Sequence, residues 1–209
     1  MQAPLLDTGP VLNLKLERLT LGDSPVLGAI ELRLARSETL AVVGPSGVGK
    51  TSLLRIIAGL EHRHIGHCDV QGRVAMVFQE PTLLPWRTAV QNLCVTTGID
   101  QGQAMQLLDD VGLADRSDDF PGQLSLGQQR RLSLARAVAI KPDLLVMDEP
   151  FVSLDPDLVD EMMTLFCDLR AAHGVATILV THVEAEAQRL ADRSVTIGGT
   201  PGRIVSASP

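Results

Sequence analysis

The segment Leu40 to Ile57, LAVVGPSGVGKTSLLRII, constrains this chain more than any other. An apolar run, Thr39 to Val43, enters Gly44-Pro45-Ser46-Gly47-Val48-Gly49-Lys50-Thr51 and leaves as an apolar-periodic segment, Ser52 to Leu60. That order of strand, glycine loop and helix is a P-loop. Glycines at 44, 47 and 49 clear side chains away, so that backbone N–H groups can turn towards phosphate oxygens at the positive end of the following helix. Lys50 then reaches the β- and γ-phosphates, and the Thr51 hydroxyl is placed to ligate Mg²⁺. The segment asks for a nucleoside triphosphate.

Around it, 209 residues with 45% hydrophobic content suffice for one α/β domain with a full core. A net charge of −7 makes a nucleic-acid backbone an unexpected partner. No apolar run reaches the ~18 to 20 residues that cross a bilayer, and MQAPLLDTGPV lacks a leader pattern. A soluble, cytoplasmic protein is expected. Three widely spaced cysteines, Cys68, Cys94 and Cys167, give no disulfide framework.

Alternating apolar residues over Val11–Leu21 and Val26–Leu34 predict antiparallel strands ahead of the P-loop, and RVAMVFQ at 73–79 predicts a short buried strand. Residues 88–140 switch to helical periodicity, broken by Gly98, Gly112 and the Asp118–Gly122 turn, and read as a helical insertion. Strand and helix then alternate: LLVMD at 144–148, a helix from about Pro156 to Ala172, ATILVT at 176–181, a helix over Glu184–Leu190, and closing strands at 194–198 and 203–206. The fold class is α/β: a P-loop NTPase core with a mostly parallel sheet, N-terminal antiparallel strands forming a shortened β lobe, and a helical insertion lobe. One domain spans 1–209, with the core at 1–87 and 141–209 and the helical subdomain at about 88–140. Against the family that the sequence resembles through the motifs given below, the interval from Lys50 to Gln79 is short for a full antiparallel lobe, which implies a trimmed hairpin at 61–73. His62, His64, His67 and Cys68 lie there; their spacing matches no structural-zinc pattern, which favours a solvated turn.

The strand 144–148 ends in Asp148 and Glu149. Sites in parallel sheets lie at the carboxyl ends of strands, so both acids are expected beside the P-loop. Asp148 would hold Mg²⁺ through its water shell, and Glu149 would orient or deprotonate the attacking water.

With these two motifs the sequence resembles the nucleotide-binding subunits of ABC transporters over essentially its whole length. Leu124-Ser125-Leu126-Gly127-Gln128-Gln129 matches the signature motif, Gln79 the Q-loop, Ser153-Leu154-Asp155 the D-loop and His182 the switch histidine. Ser125 precedes Asp148, and His182 follows it, at the family's spacing. The resemblance implies an Mg²⁺-dependent ATPase built as a head-to-tail dimer, with itself or a paralogue. Ser125, Gly127 and Gln128 of each subunit would cap the γ-phosphate held by the other's P-loop. Gln79 would touch Mg²⁺ and the lytic water, His182 would hold the γ-phosphate, and Asp155 would connect the two sites.

Two positions depart from the family pattern. Leu126 stands where a glycine is usual and puts a bulky side chain at the subunit seam. No aromatic residue occupies the region of Thr20, Leu21 and Gly22, where adenine commonly stacks. Every Phe and the only Trp lie at or beyond Phe78, which predicts weak binding and poor discrimination of ATP from GTP.

The loop Gln79 to Arg87, QEPTLLPWR, with its apolar residues and Trp86, corresponds to the groove that receives a helix of the membrane-spanning permease subunit. Its wording is most like importers of nitrate, sulfonate, taurine or thiamine-type solutes, which work with a solute-binding protein at the inner face of the cell membrane. Export or cell-division complexes, and a weakly active regulatory subunit, remain as alternatives. An ATPase acting on DNA or ribosomes is disfavoured by the single nucleotide domain and by an interval between Lys50 and Ser125 too short for a long coiled coil. The chain ends soon after His182, so no appended regulatory domain is expected.

Overall fold

A computed structural model describes residues 9–208. The opening residues 1–8, which begin the stretch without a leader pattern, lie outside them. β1 (Leu12–Leu21) is the spine of an antiparallel sheet. β2 (Ser24–Leu27) and β3 (Ile30–Leu34) run along one edge of it as two segments of a single path, Leu21 level with Ser24 and Leu12 with Leu34. The periodicity predicts one strand over 26–34; a break at Gly28-Ala29 divides it.

β4 (Thr39–Val43) then leads through the glycine loop into α1 (Lys50–Ile57). The next segment departs from expectation. Residues 61–73 hold no hairpin and no solvated turn: β5 (His64–Val70) is one strand paired antiparallel along the other edge of β1. Gly66, at φ 134°, sits so close to β1 that a Cβ there would stand 2.2 Å from the Lys15 carbonyl oxygen. A side chain would push the strand off its edge. Because a strand alternates its side chains across two faces, His64, His67 and Cys68 do not converge. No group of three or more His, Cys, Asp or Glu is placed to hold a metal among the described residues.

β6 (Val74–Val77) returns the chain to the second sheet. The helical segment follows as α2 (Ala89–Thr97), α3 (Gln101–Asp110), two 3₁₀ turns at 114–116 and 121–123, and α4 (Leu126–Ala139). Thr88, Asp100 and Ser125 each cap their helix through a capping box closed by Gln91, Gln103 and Gln128. β7 (Leu144–Asp148), α5 (Pro156–His173), β8 (Ala176–Val180), α6 (Glu184–Leu190), β9 (Arg193–Gly198) and β10 (Arg203–Ser208) complete the alternation.

The second sheet has the order β10-β9-β4-β8-β7-β6 and is parallel except at β10. Its central strands are buried on both faces, which explains their unbroken apolar runs. In β7, Leu144 and Val146 join the core beneath the antiparallel sheet and α1, while Leu145 and Met147 join the core shared with α2 to α5. At ~25 cal/mol per Å² of apolar surface, each such Leu or Val contributes roughly 1.5–3 kcal/mol. The framework that carries the loops at its carboxyl edge is therefore rigid, and no described helix is long and apolar enough to cross a membrane.

Candidate functional site

Three strands set the site's geometry. Val42 of β4 is level with Val180 of β8, and Val180 is level with Asp148 of β7. The residues one or two steps further on therefore form a row at the carboxyl edge: Val43 and Gly44 at the start of the glycine loop, then Thr181-His182, then Glu149. The sheet order places the His182 strand between the P-loop and the acid pair, a neighbour relation that motif order alone does not reveal.

The glycine loop is packed from behind and open in front. A Cβ on Gly44, at φ 149°, would stand 2.3 Å from the Ile197 carbonyl oxygen of β9. Gly49 is pressed against Leu27, and buried Val48 lies under Gly202. Gly47, at φ 78°, has nothing within 4 Å of a Cβ. Pro45, Ser46 and Gly47 are exposed on that open side. Gly49 forms the N-cap of α1 with no side-chain capping bond and no acid in the first turn, which leaves the amide N–H groups at Lys50, Thr51 and Ser52 uncapped by side chains. That is the composition of an anion site.

Lys50 is 5% exposed and folds back, donating to the carbonyl oxygens of Gly44 at 2.8 Å and Pro45 at 3.0 Å. Its Nζ also stands 3.8 Å from Glu149 Oε1. Facing it, Asp148 is 6% exposed and accepts from Thr51 Oγ1 at 3.2 Å. Burial raises the Asp148 carboxyl above its usual range, the Thr51 bond opposing the shift. Glu149 takes φ 46° and donates its N–H to the Val180 carbonyl, while His182 Nδ1 lies 3.4 Å from its Oε2. A non-glycine residue held left-handed at a strand end is a costly arrangement found preferentially at working sites.

Thr51 and Asp148 supply the hard oxygen donors that suit a Mg²⁺ ion, and the buried, charge-disfavoured Asp148 is the kind of group a divalent cation would relieve. Gln79 follows Val77, which is level with Met147, so it leaves its strand beside Asp148; it is exposed.

The signature residues are elsewhere. Ser125 accepts from Gln128 N and donates its own N–H to Gln128 Oε1, as the N-cap of α4. Gly127 is buried: a Cβ there would meet Leu158 of α5 at 2.5 Å. Asp155 caps α5, and its Oδ1 accepts from the N–H of that same Leu158 at 3.0 Å. The D-loop acid and the signature glycine thus share one contact residue. Among the described residues no hydrogen bond joins Ser125–Gln128 to the loop at 44–52. Leu126 is 41% exposed.

In the loop from Gln79 to Arg87, Leu83 packs on the helical core while Trp86 stays 67% exposed. The buried Asn92 amide holds the loop by accepting from Leu84 N and donating to the carbonyls of Leu84, Arg87 and Thr88. Sequence reading does not single out Asn92, nor Thr181 and Glu186, whose side chains are hydrogen-bonded to each other beside His182. Polar residues in these last two buried positions, Thr181 directly before the histidine and Glu186 in the first turn of α6, are the signal that was available.

A glycine loop with an uncapped helix start, its lysine, and a buried carboxylate tied to the loop threonine define a P-loop nucleoside triphosphatase. The profile of the family described as ABC transporter matches residues 27–152, and the chain belongs to that family as an ATP-binding, ATP-hydrolysing subunit. Among its relatives is an aliphatic sulfonates import ATP-binding protein of Burkholderia cenocepacia, 40% identical over 206 residues, covering 93% of this chain and 76% of the relative. Another of the same description, from Agrobacterium fabrum, is 44% identical over 191 residues, covering 88% of this chain and 68% of that one. In fold, the chain matches a dimeric ATP-binding cassette in a post-hydrolysis state with ADP and phosphate, with a TM-score of 0.81 and 24% identity, covering 94% of this chain and 97% of the other.

Proposed function

We propose that this protein is the energy-coupling ATPase of an importer for small organic anions of the aliphatic sulfonate type. The curated relatives with that description support the solute class. The observation that carries the hydrolytic role is the placing of Lys50 and His182 on the two oxygens of one carboxylate, that of Glu149.

Lys50 exchanges its two loop carbonyls for the β- and γ-phosphates as ATP enters, while the loop N–H groups from Gly44 to Ser52 orient the chain of phosphates. Thr51, Asp148 and Gln79 would hold a Mg²⁺ ion, which supplies neutralisation of phosphate charge. Glu149 orients the lytic water and accepts its proton; His182 donates to the γ-phosphate and fixes the Glu149 carboxylate. Among the described residues, no hydrogen bond brings the signature segment to the glycine loop. A second copy or a paralogue, arranged head to tail, would bring its Ser125, Gly127 and Gln128 to the γ-phosphate, with Asp155 at the seam.

The core at 1–87 and 141–209 then carries the nucleotide, and the helical subdomain at 88–140 carries the cap. In this reading the exposed Trp86 and the rest of Gln79–Arg87 receive a helix of the permease, and the protein works at the cytoplasmic face of the membrane with a solute-binding protein in the complex.

Glu149→Gln tests the hydrolytic reading. Steady-state turnover should fall by about 10²-fold or more, with ATP accumulating a dimer seen by size-exclusion chromatography. A variant that hydrolyses at the wild-type rate sinks the role given to Glu149. Co-purification with a multi-spanning permease, and stimulation of turnover by a sulfonate-loaded binding protein, test the import role.

A further inference from the structure

Arg130 of α4 is a buried cation with no counter-ion among the described residues. It is 7% exposed, its Nη1 donates to the Pro150 carbonyl and its Nη2 to the Val152 carbonyl at 2.6 Å, and its Nε has no partner. No carboxylate pairs with it among the described residues, and burial alone pushes its pKa down. A charge held this way carries a desolvation cost that only its two hydrogen bonds to carbonyls offset.

What it grips is the turn that presents Glu149. That turn has left-handed, non-glycine residues at both ends, Glu149 at φ 46° and Ser153 at φ 63°. Its own backbone bonds are long: Val152 N to the Glu149 carbonyl at 3.3 Å and Leu154 N to the Phe151 carbonyl at 3.4 Å. Beside the packing of buried Pro150 and Phe151 and of half-buried Leu154, the two guanidinium bonds tie the turn's backbone to the helical segment. They do so from the helix that Ser125 caps. On the same helix Arg136 donates to the Thr82 carbonyl at 2.9 Å and the Pro81 carbonyl at 3.2 Å, where Thr82 is again left-handed at φ 46°. α4 therefore holds both strained loops that leave β6 and β7.

We propose that Arg130 is a positioning residue for hydrolysis: it locks the Glu149 turn to α4, so that engagement of the helix start at Ser125 sets the orientation of the Glu149 carboxylate. The proposal rests on the reading in which Glu149 orients the lytic water. Among the described residues Arg130 hydrogen-bonds only to backbone carbonyls, and it makes no hydrogen bond to Glu149, Lys50 or His182.

The test uses the full chain with Mg²⁺ and ATP. Arg130→Met keeps the apolar stem and removes the donors; Arg130→Lys keeps the charge on a single donor centre. For Arg130→Met, kcat is expected to fall about 10- to 100-fold. Its affinity for a fluorescent ATP analogue should stay within about twofold, because the phosphate cradle is untouched. Arg130→Lys should recover part of kcat. An Arg130→Met protein with wild-type kcat overturns the proposal, as does a kcat loss matched by equal losses in binding and folded fraction. Should Arg130→Met fail to fold, Arg130→Lys decides: reduced kcat at unchanged affinity supports the proposal, and wild-type kcat overturns it. Glu149→Gln measured in parallel separates the two readings. If that variant is inactive while Arg130→Met is not, only the role of Arg130 falls; if it keeps turnover, the role of Glu149 falls first.

Discussion

Thr51 Oγ1 donates to Asp148 Oδ1 across 3.2 Å and 97 residues of sequence, joining the first turn of the P-loop helix to the end of β7. The bond brings a hydroxyl from one strand-end loop to the carboxylate of another with a third strand, β8, between them. It also partly satisfies an acid whose charged form burial disfavours. The site is in this sense assembled but uncomfortable, as sites arranged for a cation often are.

Asp148→Asn should therefore stabilise the nucleotide-free protein while destroying its activity. The amide oxygen still accepts from Thr51, and the burial penalty on the carboxylate disappears. A gain in unfolding free energy is expected from denaturant titration, with Mg²⁺-dependent turnover lost. A less stable Asn variant would contradict the account of this buried acid.

The glycines of the loop should separate fold from binding. Gly44→Ala drives a methyl into the Ile197 carbonyl at a backbone angle alanine resists, and should cost about 3 kcal/mol or more. Gly47→Ala meets open space and bears only the left-handed penalty, about 1–2 kcal/mol. Its methyl projects towards the side where phosphate would lie, so ATP affinity should fall about tenfold or more. Thermal unfolding and nucleotide titration on both variants decide this. Equal losses of stability would show that the loop is not packed on one side only.

The framework was legible where one physical signal dominated. The buried run LLVMD, and the helix between Pro156 and Gly174 at its two ends, come out as β7 and α5 within a residue or so. The P-loop and its acid pair were legible for the same reason, since backbone and charge requirements are written into residue types. The polar run His64 to Cys68 was not: its strand character comes from hydrogen bonding to β1, a non-local pairing that leaves little trace in local hydropathy. Arg130 and Arg136 escaped as well, because their acceptors are backbone carbonyls, which every residue carries. The signature's helix cap was readable from Ser125 and Gln128, whereas the packing of Gly127 on Leu158 required the tertiary structure.

Base selectivity should be poor. β2 lays Val26 and Leu27 over Gly49, so the turn at Leu21-Gly22 rises on the P-loop's flank without an aromatic. Affinities for ATP and GTP are expected to agree within about threefold. Leu21→Tyr should tighten ATP binding by about 1 kcal/mol, near fivefold, by offering a ring to the base. Strong preference for ATP in the unaltered protein, measured by competition titration, would mean that another group reads the base.

Cys68 gives a prediction in pH. It is half-buried on β5, level with Leu14 of β1 and packed against the core below the antiparallel sheet. Burial, helped by the neighbouring Asp69 carboxylate, pushes its thiol from 9.0 up to about 11. The folded chain thus keeps a proton that the unfolded chain releases first. Whatever stability this thiol contributes is fully present below pH 9 and is lost as pH rises through about 11. Because the thiolate is the nucleophile, iodoacetamide should leave Cys68 largely unmodified at pH 8 in the folded protein and label it readily in urea at the same pH. Peptide mapping by mass spectrometry reads both rates for this one residue. Equal labelling in the folded and unfolded chain at pH 8 would contradict the packing of Cys68 against the core.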